Sequence, residues 1–275
     1  MPFFKVFAPP SSLCTVVREV QVYHIQWGKE DNLPEPFITC LANTEQNLYF
    51  FPGDPLKVIP APFVEIPSPA AVITGPKTKP VGLLFGKNHL MIKVAFHPTG
   101  TYRLLGIDMQ KVVNNGLEAA GYWGPGIMDT TKELQDTDSY ELMSRIVFAF
   151  LEKTIERNCR EEEPIDLVAI RMLEPQSAHS IQEWASMACL SIRQFERNFI
   201  TRVGISPKLF LRIVRFEYAM NLKRDKPGTP WTEVALECFY TDLSHFQREF
   251  KAFAEFPPAS FYLRPTSGHS GFPTG

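Results

Sequence analysis

The chain lacks any long apolar run: nowhere do 18 consecutive apolar residues occur, and the first thirty hold no basic segment leading into an apolar stretch. Neither a membrane-spanning helix nor a secretory leader is therefore expected. Cysteine is scarce and unpaired. Five residues, Cys14, Cys40, Cys159, Cys189 and Cys238, include no Cys-x-x-Cys pair, which argues against both a disulfide framework and a zinc knuckle. These absences predict a cytoplasmic protein with reduced, mostly buried thiols. Net charge is small as well, −2 over 275 residues. The balance is uneven along the chain: residues 1–174 hold 16 Lys/Arg against 21 Asp/Glu, and residues 175–275 hold 12 against 9. A basic C-terminal part is the expected footprint of a phosphate-binding surface, although an excess of three charges does not carry that reading alone.

Signals of catalysis are also missing. Gly82-Leu-Leu-Phe-Gly86-Lys87-Asn88 imitates a phosphate loop, but three residues separate its glycines and no Ser or Thr follows the lysine. Gly121, Gly124 and Gly126 beside Trp123 read as a turn. His89 and His97 stand too far apart on one short strand to share a ligand, no His-x-His pair is present, and His24 and His179 are isolated. No catalytic residue, metal ligand or cofactor is assigned. A metal enzyme with a nucleic-acid-binding appendage is the alternative, to be favoured by bound metal near His97; a helical module for protein contacts alone is a third reading.

What is present is a repeat. Residues 195–210 match residues 246–261 at a fixed offset of 51. Phe195, Arg197, Phe199, Pro207 and Phe210 return as Phe246, Arg248, Phe250, Pro258 and Phe261. Each copy follows a short helical pattern containing an alanine, Ala185 or Ala235, and then a turn with a polar cap, Ser191 in the first and Thr241 or Asp242 in the second. A helix, a tight turn and a second helix make a helix-turn-helix, in which the alanine permits close approach and the second helix offers its outer face to a major groove. The phenylalanines at i and i+4 then point inward, leaving Arg197 and Arg248 to the side or outside. Between the copies Ser206-Pro207 starts a helix as cap and first residue, and Pro227-Gly228 ends it. Its 18 or so residues give a rod of roughly 27 Å, shorter than the ~34 Å between major-groove faces on one side of a duplex, so a bent duplex is expected.

The first part of the chain reads as strands at Leu48 to Phe51, Val81 to Phe85 and His89 to Phe96, and eight prolines between Pro52 and Pro80 argue against helix there. From Asp138 the period changes to a helical stripe through Leu142, Met143, Ile146, Val147, Phe150, Leu151 and Ile155. That stripe either packs on its own β-rich part or supplies an intersubunit contact.

Ser191-Ile-Arg-Gln-Phe-Glu-Arg-Asn-Phe199, Val203-Gly-Ile-Ser-Pro207 and Asp242-Leu-Ser-His-Phe-Gln-Arg-Glu-Phe250 resemble the AraC family of bacterial transcription regulators over about residues 180–264. Leu90-Met-Ile-Lys-Val-Ala-Phe-His-Pro98 with Tyr102-Arg-Leu-Leu-Gly106 is similar to the sensor region of one of its subgroups. The resemblance implies an α+β protein: a cupin-like barrel for sensing or dimerisation (1–136), linking helices (137–174), a double helix-turn-helix domain (175–265) and a flexible tail (266–275). Within the third part it implies helix-turn-helix units at about 180–202 and 230–254, joined by a helix at about 206–225. Carried over by position, base reading falls to Arg193, Gln194, Glu196 and Arg197 and to Leu243, Ser244, Gln247 and Arg248. Arg202, Lys208, Arg212, His245 and Lys251 are expected to contact phosphates or to be solvated charges, and Arg215 to do so or to serve the fold. Double-stranded DNA is the implied partner, with a small-molecule effector, a second copy and RNA polymerase as further ones. The chain departs from the family where glycine is usual, with Cys189 and Phe239 in the two turns and Glu255 after the second reading helix. A side chain in the left-handed backbone conformation costs on the order of 1 kcal/mol, so either the turns are adjusted or the cost is borne.

Overall fold

Alternating side chains build the first half of the molecule. The computed structural model describes residues 3–26, 37–59, 65–175 and 179–263; the expected flexible tail lies outside them. Ten strands are formed among these residues: β1 (Phe3–Phe7), β2 (Val17–Gln26), β3 (Phe37–Cys40), β4 (Gln46–Phe50), β5 (Lys57–Ile59), β6 (Ile66–Pro67), β7 (Ala71–Thr74), β8 (Val81–Leu84), β9 (Asn88–Phe96) and β10 (Gly116–Glu118). They make two antiparallel sheets, one ordered β1-β2-β9-β4-β7-β10 and the other β3-β8-β5-β6.

The central strands of the larger sheet are buried on both faces, and the two-residue period of a strand decides which side chain goes where. Val20, Val22, Leu48, Phe50, Ile73, Ile92 and Val94 point to one face. Tyr23, Phe51, Val72 and Met91 point to the other, towards the smaller sheet. Helices α1 (Gly100–Leu105), α2 (Ala120–Trp123), α3 (Gly126–Gln135) and α4 (Tyr140–Asn158) follow. Met143, Val147 and Leu151 of α4 pack into the first of these faces, while Leu142 is exposed. The stripe on α4 thus covers its own sheet.

The rest is helical: α5 (Pro164–Arg171), α6 (Ile181–Met187), α7 (Ile192–Val203), α8 (Pro207–Asp225), α9 (Trp231–Glu237) and α10 (Leu243–Ala254), closed by a 3-10 turn at Pro258–Leu263. Their core gathers Trp184, Phe195, Phe199, Phe210, Phe216, Phe246 and Phe250, and also takes in Leu41 and Ala42 from the β-rich half. The two halves therefore share packed apolar surface. Among the described residues no helix is long and apolar enough to cross a membrane.

Candidate nucleic-acid interface

Each helix-turn-helix is assembled by local sequence signals. Ser180 caps α6 and Glu183 answers it, both ends of the capping box being formed. Ala185 and Ala235 are buried, and a methyl group there lets the paired helices close. Ser191 caps α7, with its own N–H and hydroxyl donating to Gln194 Oε1 at 3.1 and 2.8 Å. Asp242, rather than Thr241, caps α10 by accepting from the His245 N–H at 2.7 Å. The second turn is one residue longer than the first, because the offset between the copies is 50 at the alanines and 51 at the caps.

The turns keep the left-handed conformation without glycine. Cys189, Phe239 and Glu255 have φ of 56°, 59° and 62°, so the cost is borne and the geometry is not adjusted. Gly204 holds the place of Glu255 in the first copy, at φ 100°, and a side chain there would meet the Met109 carbonyl at 2.8 Å. The first copy has no room for a side chain because the β-rich half lies against it. The second copy is exposed at Glu255 and tolerates one.

Of the base-reading candidates, Arg193, Gln194, Glu196 and Arg197 are all exposed on α7, and Ser244, Gln247 and Arg248 are exposed on α10. Leu243 is half-buried against the core. Leu243, Ser244, Gln247, Arg248 and Lys251 line one shallow cleft with Pro257 and Pro258. Gln194 differs from expectation in one respect. Its carbonyl oxygen serves the cap of α7, so its amide N–H groups are what it can offer to a base edge.

Several phosphate candidates are committed elsewhere. Arg202 is buried; its guanidinium reaches Asp166 at 3.0 Å and Glu163 at 2.5 Å, both belonging to the start of α5, and lies over the Tyr102 ring. It joins α7 to α5 and α1 and is withdrawn from the phosphate set. Arg212 Nε and Arg215 Nη2 both bind Glu249, at 2.7 and 3.3 Å, and His245 Nε2 is 3.8 Å from the same carboxylate. Arg212 also lies over Phe253 and Arg215 over Tyr240. The two arginines fasten α8 to α10, which corrects the expectation for Arg212 and gives Arg215 its structural role, while His245 stands half-buried on α10 itself, one turn before Glu249. Lys208 and Lys251 are exposed. Glu249 itself was not foreseen, although it stands three residues after Phe246 and four before Phe253, on the buried face of its helix.

A second feature lies between the two sheets. Tyr49, Phe51, Leu56, Val72, Leu83 and Met91 contribute to the largely apolar wall of a cavity of about 260 Å³, with Cys40, Thr74, Lys77 and Asn114 giving it polar points. Thr74 Oγ1 is buried there with no hydrogen-bond partner among the described residues. No group of three or more His, Cys, Asp or Glu able to hold a metal is found among the described residues.

Comparison with known proteins matches residues 184–264 to a helix-turn-helix domain family. The last third of the chain is an AraC-type helix-turn-helix domain. A curated relative, an uncharacterized HTH-type transcriptional regulator of Haemophilus influenzae, is 32% identical over 95 residues, which are 34% of this chain and 31% of that protein. The match thus spans under a third of the relative's length. Among solved structures the chain is similar to ToxT from Vibrio cholerae, with TM-score 0.48 and 10% identity over 94% of this chain and 98% of that one. It is also similar to ToxT of that organism with unsaturated fatty acid bound (TM-score 0.47, 12% identity, 95% of each chain). A third likeness is to the AraC-like transcriptional activator CuxR (TM-score 0.30, 11% identity, 78% of this chain and 94% of that one).

Proposed function

We propose that the chain is a sequence-specific DNA-binding transcriptional regulator that lays α7 and α10 in successive major grooves and catalyses no reaction. The observation that carries this reading is the paired construction of the AraC-type domain. Two capped helices bury equivalent phenylalanines and turn Arg193 and Arg197, and Gln247 and Arg248, to solvent. Arginine grips guanine O6 and N7 with two hydrogen bonds, and glutamine pairs adenine in the same way. Glu196 and Ser244 add an acceptor and a hydroxyl, and Leu243 an apolar edge. Lys208 and Lys251 serve the phosphates. The 19 residues of α8 make a spacer of roughly 28 Å, so the duplex bends for both heads to engage.

The test begins with selection of bound fragments from a genomic DNA pool. On the duplex so obtained, Arg197→Ala and Arg248→Ala each weaken binding by about 1 to 3 kcal/mol and relax preference at one base position. Equal loss on selected and random duplex would reduce these arginines to phosphate contacts and overturn the base-reading assignment. Circularly permuted fragments with unaltered gel mobility would overturn the bend.

The same reading includes a small-molecule effector in the cavity between the sheets, which is concave, mainly apolar and equipped with few polar groups, as ligand sites commonly are. A second copy and RNA polymerase are partners the family resemblance supports.

A further inference from the structure

The segment between β3 and β4 touches three things at once. At its start, Cys40 lines the cavity. Leu41 and Ala42 then leave the β-rich half and bury themselves in the core of the AraC-type domain, where the Ala42 N–H donates to the Phe253 carbonyl of α10 at 3.4 Å. Asn43 exchanges two backbone hydrogen bonds of 2.8 Å with Lys77, which also lines the cavity. Thr44 donates from its N–H and its hydroxyl to Glu217 Oε2 of α8, at 3.2 and 2.8 Å. Two residues further, Gln46 Nε2 donates to the Arg202 carbonyl of α7 at 3.1 Å.

Five consecutive residues thus run from the cavity wall to both the spacer helix and the second reading helix. Thr44 gives two hydrogen bonds to a buried group of α8, and Leu41 and Ala42 pack in the same core, so α8 follows Thr44 when the segment moves. The cavity wall fixes the segment at two places, Cys40 and the Asn43–Lys77 pair, and a molecule seated against them bears on both.

We propose that residues 40–44 are the coupling element of this protein, transmitting occupancy of the cavity to the spacing of the two reading heads through the grip of Thr44 on Glu217. The inference rests on the effector reading above and adds its ligand class. The cavity wall has one cation, Lys77, one unpartnered hydroxyl, Thr74, and no carboxylate among its described residues. That composition suits a small apolar body with one hydrogen-bond-accepting or anionic end. An apolar cavity of ~150 Å³ holds benzene, and the larger volume here takes a ring with a short chain.

The experiment uses the full chain with 4-butylbenzoate and 4-butylphenol as anionic and neutral probes, binding being read by thermal shift. In the wild type a bound probe changes affinity for the selected duplex about fivefold or more and alters amide exchange over 207–225. Glu217→Gln retains an acceptor for both Thr44 donors and keeps the coupling. Thr44→Val and Glu217→Ala bind the probe equally but respond less than about twofold. Undiminished coupling in both of these variants, or a probe that alters exchange at 40–44 and not at 207–225, overturns the proposal. If neither probe shifts the melting of the wild type, the effector reading fails together with it. If the duplex is not bound at all, the DNA-binding reading fails, and exchange at 207–225 still decides the coupling.

Discussion

At the scale of single residues, the charged side chains of the helical half divide into those that hold it together and those left for a partner. Glu249 shows the first kind. Buried on α10, it neutralises Arg212 and Arg215 of α8, and each of these cations is partly screened by solvent. Glu249→Ala is expected to destabilise the chain by about 2 kcal/mol, the scale of losing hydrogen bonds to a charged group, measured by urea denaturation. Gly204 and Glu255 form a natural pair of opposites. Gly204→Ala meets both an unfavourable φ and the Met109 carbonyl, and is expected to cost about 1 to 3 kcal/mol. Glu255→Gly, which relieves the same backbone conformation in the exposed copy, is expected to raise stability by about 1 kcal/mol. A stabilised Gly204→Ala variant would refute the close approach of the two halves at that point.

At the scale of elements, α8 is the ruler of the molecule. It is buried along much of its length, through Phe210, Ile213, Val214, Phe216, Ala219 and Met220, so the separation of the heads is set by how α8 packs in the core. Binding is therefore expected to depend on the phase of the two half-sites. Inserting 5 base pairs between them turns one half-site through about half a helical turn, and affinity on that duplex should fall to the level given by one head alone. Retained affinity would mean that the two units do not bind as one rigid body. The turn chemistry around these helices was legible in the sequence: Ser191 and Ser206 cap as their residue types suggest, and Asp242 settles the choice left open with Thr241. The strands were less legible. In β2, Val20 and Val22 pack against helices and Tyr23 and Ile25 against the second sheet, so the strand lacks the one-sided alternation that marks a half-buried strand.

At the scale of the whole molecule, charge and pH report how the halves fit. With Arg202 buried, and Arg212, Arg215 and His245 engaged at Glu249, the exposed cations of the proposed interface are Arg193, Arg197, Lys208, Arg248 and Lys251. The logarithm of DNA affinity should then fall with the logarithm of salt concentration with a slope between about −2, from Lys208 and Lys251 alone, and about −4.5, from all five. Arg202→Ala should lower stability and leave that slope unchanged. Glu217 is pushed up from 4.5 to about 8, first by burial and then by the nearby Glu45, against the pull of the Thr44 hydrogen bonds and of Arg18. Because the native state holds this proton and the unfolded chain does not, the contribution is whole below about pH 4.5 and is lost as pH rises towards 8. Denaturation at pH 5 and pH 8 should show the decline, and Glu217→Gln should flatten it.

The sequence by itself determined the helices of the last third, their caps, the inward phenylalanines and the outward arginines, since each depends on neighbours within a turn or two of the same helix. Only the tertiary structure decided which cations are free. Arg202 meets Asp166 from α5, and Arg212 meets Glu249 from α10, partners 36 and 37 residues distant whose approach no local pattern encodes. The grip of Thr44 on Glu217, across 173 residues, belongs to the same class: it exists because two separately patterned halves bury a common surface.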